Sequence, residues 1–100
     1  MAAISGQITV ATAGTAVQGT ATGKYQLFFI RALSTNAGLG YVGNDGADDV
    51  TSSNGYELDA GEQIPYEGDL DDLFFDTAEN GDKFSWIACG EVVNTFGSGR

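Results

Sequence analysis

The stretch Tyr25-Gln26-Leu27-Phe28-Phe29-Ile30-Arg31-Ala32-Leu33 decides the fold class. Neighbouring residues of a strand point to opposite faces. Extended, this stretch therefore puts Phe28, Ile30 and Ala32 on one side and Tyr25, Leu27 and Phe29 on the other. Both sides are apolar, and a strand buried on both faces needs a second covering layer. Residues 24–33 thus predict the principal strand of a layered β-domain.

Outward from this strand the pattern repeats in shorter pieces. Alternation of apolar and polar residues, β-branched and aromatic side chains, and frequent glycine punctuation mark strands over residues 7–11, 15–18, 39–43, 56–58, 62–67, 73–77 and 83–89. Pro65 assigns residues 62–67 to a sheet edge, because proline cannot donate to a ladder. Residues 68–72 form an acidic loop or at most one helical turn. Asn80-Gly81 is the strongest short hairpin signal in the chain, and it predicts that residues 83–89 return beside residues 73–77, with Phe84, Trp86 and Ala88 on one face. No segment keeps a helical period, and 15 glycines with a single proline suit many tight turns. Strands at this spacing predict an all-β fold, an antiparallel β-sandwich that is either jelly-roll-like or immunoglobulin-like. With 100 residues the chain reads as one domain, 1–100. Residues 1–6 are expected to form an N-terminal arm and residues 91–100 a C-terminal tail.

The composition excludes several functions. Four Lys and Arg stand against 14 Asp and Glu, a formal net charge of −10. Lys24, Arg31, Lys83 and Arg100 are scattered, so neither the phosphate backbone of a nucleic acid nor an anionic membrane surface is an expected partner. Residues 1–6 lack the basic and apolar regions of a secretory signal, and no apolar run is long enough to cross a bilayer. Cys89 is alone and reads as a buried thiol packed like a small hydrophobe.

The chemistry of sites points the same way. Without histidine there is no Ser-His or Cys-His pair and no imidazole metal ligand. Asp69, Asp71 and Asp72 are the candidate acid–base carboxylates, but a turn before a strand is an ordinary place for aspartate. Asn44, Asp45, Asp48 and Asp49 crowd one loop with oxygen donors suited to Ca²⁺, yet their spacing fails the EF-hand pattern, and a solvated loop is the expectation. Gly38, Gly40 and Gly43 are not followed by the lysine and helix of a phosphate-binding loop. The expectation is a non-enzyme with no catalytic, cofactor or metal residues. What remains is surface. Outward Leu27, Phe29 and Phe74 would form an apolar interface patch, unless a curled sheet swallows both faces. Trp86, Tyr41, Tyr56 and Tyr66 are the stacking candidates if the domain binds host glycans, although Trp86 in its alternating strand reads as core.

A series of phrases resembles small virion structural proteins of tailed bacteriophages. They are Ile8-Thr9-Val10, Thr12-Ala13-Gly14-Thr15-Ala16-Val17-Gln18, Phe28-Phe29-Ile30-Arg31-Ala32-Leu33, Asn36-Ala37-Gly38 and Gly40-Tyr41-Val42-Gly43. Gly55-Tyr56-Glu57-Leu58-Asp59-Ala60-Gly61-Glu62, Asp69-Leu70-Asp71-Asp72-Leu73-Phe74-Phe75 and Asn80-Gly81-Asp82 follow in order. The resemblance implies a β-sandwich or jelly-roll core and a role as a capsid decoration (cement) protein. Such a protein would be made in the bacterial cytoplasm and carried on the outer capsid surface of the virion, bound to the major capsid protein, often as a homo-trimer. It also leaves room for a tail, head-closure or fibre-base role. No catalytic motif comes with it, and the aromatic richness at Phe28, Phe29, Phe74, Phe75 and Trp86 departs from the pattern.

Overall fold

Residues 3–22, 25, 27–43 and 50–89 are described by the computed structural model. The acidic loop with Asn44, Asp45, Asp48 and Asp49, the tail of residues 91–100 and the Cys89 side chain lie outside the described residues.

The described residues form eight strands: β1 (Ala3–Thr9), β2 (Val17–Gln18), β3 (Leu27–Ala32), β4 (Gly40–Gly43), β5 (Tyr56–Leu58), β6 (Gln63–Glu67), β7 (Phe74–Thr77) and β8 (Lys83–Cys89). A 3-10 turn, Leu70–Asp72, lies in the acidic segment read as a loop or at most one helical turn. All pairings are antiparallel, in two four-stranded sheets ordered β1-β8-β3-β6 and β2-β7-β4-β5. The pairs β1–β8, β2–β7, β3–β6 and β4–β5 nest inside one another, as in a single long hairpin. Rolling that hairpin up brings β8 against β3 and β7 against β4. This is the jelly-roll order, two interlocked Greek keys, and it decides between the two sandwich topologies that the spacing left open.

The topology corrects two readings. The turn at Asn80-Gly81 is not a hairpin between sheet neighbours, because β7 belongs to one sheet and β8 to the other. Gly81 takes a positive φ of 83° and turns the chain across the sandwich; its N–H donates to the Val10 carbonyl (2.8 Å), and Val10 N–H donates to the Asp82 carbonyl (3.0 Å). Only β4 and β5 are both consecutive and paired. Residues 3–6, expected in an arm, are the first half of β1, with Ala3 opposite Cys89 and Gly6 opposite Trp86. Pro65 does lie in an edge strand, β6.

The core fills the space between the sheets. Phe28, Ile30, Ala32, Phe84, Trp86 and Ala88 project from the first sheet towards Val42, Leu58 and Phe75 of the second. Across this gap Phe75 and Phe84 tilt together with ring centroids 5.0 Å apart, and Phe28 meets Trp86 edge to face at 5.8 Å. Two glycines make room for the large rings. A Cβ at Gly40 would come within 2.6 Å of Phe84 Cζ, and one at Gly6 within 2.7 Å of Trp86 Cζ2. Trp86 is core, as the alternation predicts, but its buried Nε1–H finds no acceptor among the described residues. Tyr25, grouped by alternation with Leu27 and Phe29, instead joins the core ahead of β3.

Candidate functional site

The two outer faces differ, and that difference locates the site. The outer face of the second sheet is roofed. Phe74, Tyr41 and Val50 form a separate small apolar cluster there, with Ala16 and Leu39 packed at its margin. The β1–β2 loop is fastened to the same side: Gly14 N–H donates to Asp76 Oδ1 (2.9 Å) and Ala13 N–H to Asn80 Oδ1 (2.7 Å). Asp76 is buried and also accepts from Thr77 N–H. Phe74, expected in one patch with Leu27 and Phe29, is thus only 9% exposed and lies on the opposite sheet from them. Alternation correctly sends one of the Phe74-Phe75 pair to the outer face, but sequence alone gives no sign of the loops that cover it.

Among the described residues, none covers the outer face of the first sheet, which is bare in that sense. In β3 exposure alternates strictly: Phe28, Ile30 and Ala32 are buried, while Leu27, Phe29 and Arg31 point outward. Leu27 is 38% exposed, Phe29 36% and Ile87 43%. The register joins them into rows across the sheet. Ser5, Ile87, Phe29 and Pro65 are cross-strand neighbours in one row. The next row towards β3's end is polar, made of Gln7, Ser85, Arg31 and Gln63. On the other side of the apolar row, Leu27 stands beside Glu67. Such cross-strand neighbours lie within side-chain contact range, so Leu27, Phe29, Ile87 and Pro65 make one apolar band bordered by a polar one.

Where the bands meet, the face dips into a depression of about 320 Å³ lined by Ser5, Gln7, Phe29, Arg31, Gln63, Ser85 and Ile87, with Gly6 and Trp86 beneath. Arg31 Nε–H donates to the Gly61 carbonyl (3.2 Å), which anchors the guanidinium beside the β5–β6 turn. That turn is itself braced, with Asp59 N–H donating to Glu62 Oε1 (2.7 Å) and Glu62 N–H to the Asp59 carbonyl (2.9 Å). Of the residues in the depression, the sequence reading named Phe29 as an interface residue and Trp86, which lies beneath, as a stacking candidate that reads as core. Ile87 was legible, since a core face of Phe84, Trp86 and Ala88 turns Ile87 outward. The polar row depends on register and was not.

The remaining sequence candidates are dispersed. Asp69 Oδ1 accepts from Thr22 N–H (3.2 Å) and Thr22 Oγ1 (3.3 Å), tying the β2–β3 loop to the 3-10 corner. Asp72 Oδ2 accepts from the Tyr66 hydroxyl (3.1 Å), and the Asp71 carbonyl accepts from Gln18 Nε2 (3.0 Å). These acids brace a corner. Burial, the hydrogen bond to Asp72 and the negative charges of Asp72 and Asp69 hold the Tyr66 phenol above its ordinary value. No three acidic or sulfur side chains among the described residues are grouped to hold a metal ion. Of the proposed stacking residues, Trp86 and Tyr41 are buried, Tyr66 is half-buried, and Tyr56 is exposed on the edge strand β5.

Comparison with protein-family models, curated proteins and solved structures returned no match. The site therefore stands on its own geometry, within the class of eight-stranded jelly-roll β-sandwich domains.

Proposed function

We propose that this protein is a bacteriophage capsid decoration protein that acts by binding, without catalysis. On this reading it sits on the outer head surface, as a trimer, and staples neighbouring major capsid protein subunits through the bare face of the first sheet. The observation that carries the reading is the contiguous exposure of Leu27, Phe29 and Ile87 on one outer face while the other outer face is roofed. Apolar patches of this kind mark protein interfaces. A fold that needs no disulfide suits assembly in a bacterial cytoplasm, and an acidic chain suits the outside of a DNA-filled shell. A ligand that binds only the assembled shell stabilises it by mass action.

The test is shell stability. Capsids assembled with the wild-type protein should resist heat and osmotic shock better than bare capsids, and capsids offered Phe29→Asp or Ile87→Asp should behave as bare ones. Equal survival of bare and decorated capsids sinks the stapling role. Copy number separates the virion alternatives: hundreds per particle fit decoration, and about a dozen or fewer fit a tail, head-closure or fibre-base position. A glycan-binding reading is favoured by one observation, the exposed Phe29 ring beside Gln7, Gln63, Arg31 and Ser85 in a shared depression, which is the mix of apolar wall and few polar groups that small ligands use. Retention on host cell-surface glycans with no affinity for capsids would favour it.

A further inference from the structure

The charge on the bare face is out of keeping with the rest of the chain. The protein carries a net −10, yet the outward positions of the first sheet hold two cations, Arg31 and Lys83, against one carboxylate, Glu67 at the margin of the apolar band. Fourteen acids are present in the sequence, and among the described residues none forms an ion pair with Arg31. The single hydrogen bond described for its side chain uses Nε, towards the Gly61 carbonyl. That bond fixes the guanidinium while leaving both terminal nitrogens to a partner. Its row neighbours Ser85, Gln63 and Gln7 are uncharged, and Phe29 and Ile87 border it on the apolar side.

A fixed guanidinium with free donors, set in a depression beside an apolar wall, is matched by a carboxylate. Arginine binds carboxylates through two parallel N–H···O bonds, and closing the apolar band over the pair excludes water and strengthens it. Polyanions are disfavoured by the rest of the chain, whose acidity repels them. A single carboxylate carried on an otherwise apolar element meets both conditions. We propose that Arg31 is the anchor of the docking face and that its occupant is an apolar surface element of the capsid protein bearing one Asp or Glu side chain. The inference rests on the docking reading above and adds the chemistry of the partner.

The experiment measures binding of the full chain to capsid shells assembled without it. One set of shells is untreated and the other has its carboxylates amidated. Arg31→Gln should weaken binding to untreated shells roughly 10- to 100-fold, the loss of a charge-assisted pair. Arg31→Lys should fall between, keeping the charge without the fork. Amidated shells should bind wild type as weakly as untreated shells bind Arg31→Gln, and should not distinguish the two proteins. If Arg31→Gln binds like wild type while Phe29→Asp does not, docking stands and the carboxylate inference falls. If neither variant changes binding, the docking reading falls with it. If Arg31→Gln instead changes the mass of the free protein in solution, the occupant is a second copy and the inference is overturned. Circular dichroism of each variant establishes that it is folded.

Discussion

Substituting alanine at Gly6 should destabilise this protein in a way that only Trp86 explains. A methyl group in a strand ordinarily gains about 0.5–1 kcal/mol over glycine, because the unfolded chain has less freedom to lose. Here the added Cβ falls 2.7 Å from Trp86 Cζ2, 3.0 Å from Cε2 and 3.2 Å from Nε1, against a favourable carbon–carbon separation of about 3.5–4.0 Å. The indole is buried and also meets the Phe28 ring edge to face, so it cannot shift without disturbing the core. Overpacking of this kind costs about 1–3 kcal/mol, and the net loss for Gly6→Ala should be about 0.5–2 kcal/mol. For a 100-residue domain each kcal/mol lowers the melting temperature by about 4–8 °C. Trp86→Phe deletes Cζ2 and also removes the buried Nε1–H that lacks an acceptor among the described residues. In that background Gly6→Ala should turn neutral or stabilising. Urea unfolding of the wild type, both single variants and the double variant gives the coupling directly, and we expect about 1–3 kcal/mol. Additivity within about 0.5 kcal/mol would refute the contact as the reason for glycine at this position.

Other outcomes follow from the same structure. Asp82 is buried and its two carboxylate oxygens accept from Ala37 N–H and Gly38 N–H, each at 3.0 Å; Asp82→Ala should cost about 1.5–3 kcal/mol, and an unchanged urea midpoint would deny the clamp any role. Asn36 imitates a strand, donating to the Lys83 carbonyl (2.8 Å) and accepting from Lys83 N–H (2.9 Å). Asn36→Ala should therefore lose about 1–3 kcal/mol and speed hydrogen exchange at the Lys83 amide, and unaltered exchange there would contradict the pairing. Because Tyr66 holds its proton more tightly when folded than unfolded, its contribution is present below the ordinary tyrosine range and is lost as pH rises through its own, higher value. Phenolate absorbance should show a late component from Tyr66, and Tyr66→Phe should remove it. Phe29→Asp, at a position 36% exposed in an inner strand, should cost about 1–2 kcal/mol and, on the docking reading proposed above, abolish capsid binding; loss of binding at a temperature where circular dichroism shows the variant folded separates interface from fold.

How much of this was legible depended on how locally each feature is encoded. Strand positions came through because alternation is a nearest-neighbour property: residues 56–58 and 83–89 match β5 and β8, and the others differ by a few residues at their ends. Partner choice did not, because it is set by how the whole chain rolls up. The Asn80-Gly81 turn has the chemistry of a hairpin and the geometry of an inter-sheet corner, and a four-residue window cannot tell them apart. The same limit governed the site. Leu27 and Phe29 were found from their own strand, whereas Phe74 was misplaced because the loop residues that cover it, Val50 and Ala16 among them, are distant in sequence. Arg31 becomes notable only when the register shows that its neighbours across the sheet are Ser85 and Gln63 rather than an acid.

The nesting of the strand pairs also bears on the chain during synthesis. Of the described strands β1 leaves the ribosome ahead of the rest, but its ladder partner β8 emerges after all the others, and β2 waits almost as long for β7. Until then the greasy residues of β3 have only β6 beside them, and closing such distant pairs is intrinsically slow. A nascent polypeptide stalled ahead of Lys83 would hold an unsealed layer with its sticky interior open to solvent, the sort of species that chaperones bind.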